Sequence, residues 1–201
     1  MKKCVIALFV FALVFAASYA SAEGLYLKGG IGASLVDDST VRVQGMSDSA
    51  EMKFDTGLFL GGAIGYDLGN NVRLEGEVSY MTTDVDRVYG PGSSFDVSND
   101  VNVLSYLVNF YYDVKNQSPS TFIIGGGIGV SNVEVDNDGY DDTVFAYQVG
   151  AGVGYATSDS VTIEVGYRYL ATSNPEFEYN GIRVEAEVGS HNIYCGVRVT
   201  M

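Results

Sequence analysis

Positive charge is scarce in this chain. Eleven Lys and Arg stand against 25 Asp and Glu, a formal charge of −14 at pH 7. So acidic a chain repels nucleic acid, whose phosphates call for Lys and Arg. Cysteine is nearly absent: Cys4 and Cys195 are the two present. Cys4 sits in the leader described below, so an internal disulfide is excluded for the mature chain. Cys195 reads as a small apolar side chain. There are three prolines. Helical periodicity is missing throughout, which removes the helical fold classes. Past residue 17, no apolar run without glycine or charge is long enough to cross a bilayer as a helix.

The first 22 residues read as a cleaved leader and 23–201 as one domain. Lys2 and Lys3 are its basic start, residues 4–17 its apolar segment, and Ala20-Ser21-Ala22 its small-x-small cleavage site. Loss of the two lysines takes the formal charge from −14 to −16.

What remains is β-pattern. Residues 61–80 (GGAIGYDLGNNVRLEGEVSY) and 150–169 (GAGVGYATSDSVTIEVGYRY) share six identities over the aligned twenty positions. Each copy has a strand ending in Gly-Tyr, a tight polar turn, and a strand with apolar residues at every second position. Eight such segments fall near 24–36, 56–68, 71–82, 101–114, 121–132, 143–156, 160–171 and 190–201. One parity is wholly uncharged, as in Ile31, Ile64, Val78, Val108, Ile128, Val149, Val165 and Cys195. The other parity carries Lys28, Asp67, Arg73, Glu75, Glu77, Glu164, Arg168 and Arg198, with Asn109, Gln148 and many glycines. Four bases matching four acids on one side of a sheet implies paired ions.

Alternation does not by itself say which parity faces outward. Three features turn the apolar parity out. Long connections (37–55, 83–100, 133–142, 172–189) alternate with short ones, as in outer-membrane barrels. Outward aromatics fall at the short-turn ends (Tyr66, Tyr112, Phe122, Tyr155) and toward the long-loop ends (Tyr80, Tyr147, Tyr169), the placement of two aromatic girdles. Glycines crowd the charged parity, where a narrow eight-stranded lumen needs room for Arg and Glu. A one-residue slip would put these charges into lipid, at about 2–4 kcal/mol for each Arg or Lys near the midplane.

The expected fold is therefore all-β: an eight-stranded antiparallel up-and-down transmembrane β-barrel. The chain resembles the small eight-stranded outer-membrane barrels of the opacity-protein and OmpA-like surface-antigen group. The resemblance spans 24–201 through LYLKGGIGAS, VRLEGEVSY, NVLSYLVNFYYDV, IIGGGIGV, AYQVGAGVGY and IEVGYRYL. It implies a Gram-negative outer-membrane location, with the lipid bilayer, lipopolysaccharide, the barrel-assembly machinery and an extracellular ligand or host surface as partners. Such barrels end in Phe or Trp; here the last residue is Met201.

The residues favour a scaffold without chemistry, cofactor or metal that presents four acidic loops outward, compatible with adhesion, antigen display or envelope integrity. The long loops hold 18 Asp and Glu against Arg42, Lys53, Arg87 and Arg183, which leaves −14 of the −16 there. That acidity reads as solubility, with cation bridging or a basic partner as the sharper alternative. EVDNDGYDD imitates the start of an EF-hand, yet position 12 falls on Phe145 instead of a bidentate Glu. The Gly-rich runs lack the helix that a phosphate loop requires. The interior ions read as a plug in which Glu75 or Glu164 pairs with Arg73, Arg168 or Arg198, the alternative being a narrow diffusion channel. A lipid-modifying enzyme needs Ser and His together, and Ser190-His191-Asn192 does not put them on one face of a strand.

Overall fold

The structure is a computed structural model that describes residues 24–37, 39–43, 50–54, 56–90, 93–95, 99–135, 140–173, 176–179, 182–185 and 189–201. The leader at 1–22, the Asp138-Gly139 turn and the side chains of most loop acids lie outside the described residues. Eight strands form the barrel: β1 (Leu25–Val36), β2 (Gly57–Gly69), β3 (Val72–Gly90), β4 (Asn99–Val114), β5 (Ser120–Val135), β6 (Tyr140–Ala156), β7 (Val161–Thr172) and β8 (Gly189–Thr200).

Each strand pairs antiparallel with its chain neighbours, and β1 pairs with β8 to close the ring. Register around the ring fixes its geometry. Leu35 pairs with His191, His191 with Tyr169, Tyr169 with Val149 and Val149 with Gly126. Gly126 then pairs with Phe110, Phe110 with Leu74, Leu74 with Tyr66 and Tyr66 with Leu25. One circuit thus returns to β1 at Leu25, ten residues from Leu35. With a rise of about 3.3 Å per residue and strands about 4.8 Å apart, that stagger tilts the strands by about 40°. Closure pairs every strand on both sides, which a hydrocarbon surrounding requires.

The apolar parity faces out on all eight strands. Ile31, Ile64, Val108, Phe110, Ile128, Val149, Val165 and Ile193 are exposed, Ile128 by 61%. Cys195 is exposed on the same wall as a free thiol. The charged parity faces the lumen, where Arg73 and Glu75 are 0% exposed.

Four strands run further than the alternation indicated. β3 continues to Gly90, β4 begins at Asn99, β5 reaches Val135 and β6 begins at Tyr140. The other four resume after a break. Ser39–Val43 follows β1, Ala50–Phe54 precedes β2, Glu176–Tyr179 follows β7 and Ile182–Glu185 precedes β8. These pieces pair in the order of their parent strands: Ala50–Phe54 on β3, Ser39–Val43 on Ala50–Phe54, Ile182–Glu185 on Ser39–Val43, and Glu176–Tyr179 on Ile182–Glu185. Segments expected to be loops are thus a crown of strand. The four detached pieces do alternate, with charge on one parity only, but at four or five residues each they are too short to stand out within acidic connections.

The β2–β3 turn shows how local chemistry sets register. Gly69 pairs with Val72 across the two-residue loop Asn70-Asn71, and both asparagines have positive φ (51° and 68°). Two positive φ values make the type I′ turn that suits the twist of a hairpin, and Asn tolerates that region better than most residues. The Asp67 carboxylate accepts a hydrogen bond from Gly69 N at 2.9 Å, beside a bulge between Asp67 and Gly69. Asn71→Val should cost about 1–2 kcal/mol, the steric penalty of a β-branched residue at positive φ. The check is urea unfolding in lipid vesicles; a loss below the error of the titration would show that the turn does not hold the register.

Candidate functional site

The lumen is filled from the short-turn end by a ladder of ions. Arg73 on β3 is its centre. Its Nε and Nη2 donate to the two oxygens of Asp113 on β4 at 2.9 and 2.8 Å, a bidentate pair. Its Nη1 donates to Glu75 Oε1 at 2.8 Å and to the Tyr26 hydroxyl at 3.0 Å. Tyr26 in turn donates to Glu75 Oε1 at 2.8 Å. Lys28 on β1 bridges two acids, Glu75 at 3.3 Å and Glu164 at 3.4 Å. Arg198 on β8 lies 3.1 Å from Glu164 and 3.5 Å from Asp113. Glu164 is held by charge from three sides, yet neither of its oxygens receives a well-aligned hydrogen bond.

One step further in, Arg168 on β7 pairs with Glu77 at 2.5 Å. Asn109 donates to Glu77 at 3.1 Å, and Gln148 donates to Asn109 Oδ1 at 2.6 Å. These two amides absorb acceptor capacity that a buried carboxylate cannot leave empty.

Aromatic rings pack between the ions. Lys28 Nζ sits 4.8 Å from the Tyr111 ring centre, and Arg168 lies 3.9 Å over Phe59. Such cation–π stacking is strongest where water is excluded. Two lumen glycines make these rings possible. A Cβ on Gly65 would overlap the Tyr26 ring, and one on Gly166 would lie 2.7 Å from the Tyr194 ring. Glycine in the lumen therefore clears space for aromatics that cover the cations, as well as for the cations themselves.

Toward the crown the charges give way to a mixed layer of hydroxyl and apolar side chains, with Ser105 and Ser131 hydrogen-bonded at 2.8 Å. Leu107, Ala146 and Leu170 form one buried cluster, and Met81, Val103, Val133 and Val144 form another. The charged residues do not mark this layer. Its residues share the inward parity with Glu77 and Asn109, and parity counting alone would have found them. Two lumen-side cavities, beside Glu77 and Arg168 and beside Gln148 and Arg168, measure about 20 and 10 Å³. Each is about the size of one water.

Seven of the eight sequence-derived positions meet in this cluster: Lys28, Arg73, Glu75, Glu77, Glu164, Arg168 and Arg198. Asp67 does not. It stands at the short-turn rim, partly exposed, 3.9 Å from Lys115 across the neighbouring turn. The bulge and the turn bring its carboxylate to water. The fourth acid of the balance is Asp113, which has the parity of Asn109 but was hidden at the end of the apolar strand.

At the opposite rim, Ser190 and His191 point to different sides. Ser190 is buried in the lumen, with its hydroxyl 3.5 Å from Leu170 O. His191 faces outward, its Nε2 2.9 Å from Asp37 and its Nδ1 2.6 Å from the Tyr167 hydroxyl. No group of three or more His, Cys, Asp or Glu poised to hold a metal occurs among the described residues.

A lumen lined with paired ions, an apolar outer wall and a tilted eight-strand ring describe a membrane barrel, and comparison with known proteins agrees. The family model for the outer membrane protein beta-barrel domain matches residues 5–197. This chain belongs to the outer-membrane β-barrel family. Among curated relatives, the outer membrane protein PagN of Salmonella typhimurium is 30% identical over 83% of this chain and 81% of its own. A protein of Rickettsia conorii named as a candidate adhesin is 27% identical over 76% of this chain and 71% of its own. Among solved structures, the Neisserial surface protein NspA superposes with a TM-score of 0.61 at 23% identity, covering 90% of this chain and all of NspA. OprG of Pseudomonas aeruginosa gives the same TM-score at 14% identity, covering 89% and 97%. As a member of this family the chain resides in the Gram-negative outer membrane. Its exposed Ile, Val and Phe residues therefore meet hydrocarbon, and the ion ladder is the part of the barrel that lipid never touches.

Proposed function

We propose that the chain is a non-enzymatic adhesive scaffold, a plugged barrel that holds an acidic crown above the membrane. The observation that carries this reading is the pairing of crown strands from two separate connections. Ser39–Val43 and Ile182–Glu185 come from opposite ends of the chain and lie side by side, anchored through Ala50–Phe54 to β3. A connection that only joined strands would need no such assembly; a binding surface does. The adhesin name of the Rickettsia conorii relative supports the same role. The crown's net negative charge favours a basic partner, and contact with it should weaken as salt shortens the Debye length from about 10 Å at 0.1 M.

This reading includes a leader removed after Ala22, insertion by the barrel-assembly machinery and lipopolysaccharide as a neighbour in the outer leaflet. It disfavours a diffusion channel, because paired ions and a packed layer of hydroxyl and apolar side chains fill the lumen in series.

Expression on the surface of a non-adherent Gram-negative strain tests the proposal. Replacing residues 174–188 by a short glycine linker should bring host-cell attachment down to the empty-vector level while heat-modifiable gel mobility still reports a closed barrel. Attachment equal to that of the full chain, or stepwise single-channel currents from the purified protein, would count against the reading.

A further inference from the structure

We propose that a seam left open in the crown, between β6 and Glu176–Tyr179, takes up an extended segment of a partner protein in which basic and apolar residues alternate. The segment joins the crown as an added strand. This names the partner chemistry of the adhesive surface and rests on the scaffold reading above. The crown reverses the polarity of the wall beneath it. Leu58 on β2 faces out and pairs with Thr82, but Phe54 pairs with Val85. Four residues on one strand meet three on the other, a slip that turns Phe54 to the lumen-side face. Val85 is on that face because it lies two residues past Thr83, which is buried in the lumen. The pairs Met52–Val88, Val43–Val184 and Phe177–Val184 carry the apolar face across the detached pieces. Charged positions such as Arg42, Lys53, Glu176 and Glu185 then take the outward face.

Pairing runs round the crown from β6 through β5, β4 and β3 to the four detached pieces, and ends at Glu176–Tyr179. Among the described residues, no strand pairing joins that last piece back to β6. The ladder between β6 and β7 stops at Ala146 and Thr172, with one more bond from Ser173 N to Phe145 O at 2.8 Å. Beyond it, Tyr140–Val144 pairs with β5 alone. Successive residues of a strand present their N–H and C=O groups to opposite sides. Phe145 faces the seam side, so the backbones of Thr143 and Asp141 face it too. A strand edge of this kind is a template for another strand.

Charge and parity select the occupant. The outward register positions beside the seam include Asp141 on β6 and Glu176 and Glu178 on the facing piece. Outward residues of an added strand are therefore best as Lys or Arg, since opposite charges attract across strands. The lumen-side positions are Val144, which is buried, and Phe177 and Tyr179. The alternate residues of the guest are therefore apolar. A second copy of this chain would set acid against acid, which disfavours self-pairing at the same edge. Main-chain bonds supply the affinity of such strand addition, and the alternating side chains supply its specificity.

The test uses the full-length mature barrel in nanodiscs and a short fluorescent peptide of alternating lysine and valine, read by anisotropy. A peptide of equal composition with its lysines and valines in separate blocks should bind about tenfold more weakly, the scale of a lost backbone hydrogen bond. Hydrogen exchange at Asp141 and Thr143 should slow when the alternating peptide is bound. Thr143→Pro removes an N–H that faces the seam and spares the ladder to β5, so it should weaken binding about tenfold while heat-modifiable mobility stays normal. Glu176→Lys with Glu178→Lys should move the preference to a peptide of alternating glutamate and valine, and Asp100→Lys on β4 should leave binding as it was. Equal binding of the alternating and block peptides, unchanged binding in both seam variants, or crosslinks between two copies through Tyr140–Val144 would overturn the proposal. The two readings fail separately. Peptide binding to a barrel whose cells do not attach would sink the scaffold reading alone, and attachment undiminished by Thr143→Pro would sink the seam alone.

Discussion

Arg73→Leu should weaken the folded barrel by about 3–5 kcal/mol, the usual cost of removing one partner from a buried ion pair. The size follows from what is left behind. Asp113 loses both of its bidentate donors, and Glu75 loses its guanidinium at 2.8 Å. Leucine returns apolar contact to a fully buried site but donates nothing to these carboxylates. Lys28 and Arg198 remain nearby and offset part of the excess negative charge, at 3.3 Å from Glu75 and 3.5 Å from Asp113. Arg73→Lys should recover only part of the loss, since an ammonium cannot reproduce the two parallel bonds to Asp113. Adding Glu75→Gln and Asp113→Asn to Arg73→Leu should restore more, because no carboxylate then stays unpaired. Urea titration in lipid vesicles, read by heat-modifiable mobility, measures all of these. A change of Arg73→Leu below about 0.5 kcal/mol, the range of ordinary surface substitutions, would mean that the ladder carries no stability.

The second large effect lies on the other face. Val165→Arg should cost about 2–4 kcal/mol in a bilayer, whereas the same change at Val161 should cost about 0–1. Val165 is 55% exposed and sits between Cys195 and Val153 on the neighbouring strands, midway along the outward row of β7. Val161 starts that strand beside the short turn at 157–160. The difference arises because a guanidinium at the midplane must keep its charge in hydrocarbon, while one at the turn reaches headgroups and water. Depth dependence is the signature to look for. Equal, small costs at both positions would mean that this wall faces water.

Much of this barrel is legible in its sequence. Period-two alternation places Ile31, Val108 and Val165 on one face and Arg73, Glu75 and Glu164 on the other, because a strand allows no third choice. Orientation came from Tyr66, Tyr112 and Tyr155 at strand ends, where a water-filled surrounding would give aromatics no reason to gather. The partners of each ion were not legible. They depend on the stagger of the ring, which brings Arg73 of β3 to Asp113 of β4 and Lys28 of β1 to both Glu75 and Glu164. Asp67 misled for a local reason: parity puts it in the lumen, but it lies at the bulge beside the turn, where an inward side chain already meets solvent. The apolar layer at Met81, Val103 and Leu170 escaped notice because hydrophobic residues draw no attention in a sequence already full of them. The detached crown strands alternate as the barrel strands do, but four or five residues are too few to separate a strand from a loop.

Because four strands run on above the apolar band and the other four resume there, the part of the molecule open to unhindered variation is small. A foreign peptide spliced between Val43 and Ala50 would ride on paired backbone at both ends, held above the apolar band without loosening the stave beneath it. The same architecture would make this protein a carrier for displayed epitopes.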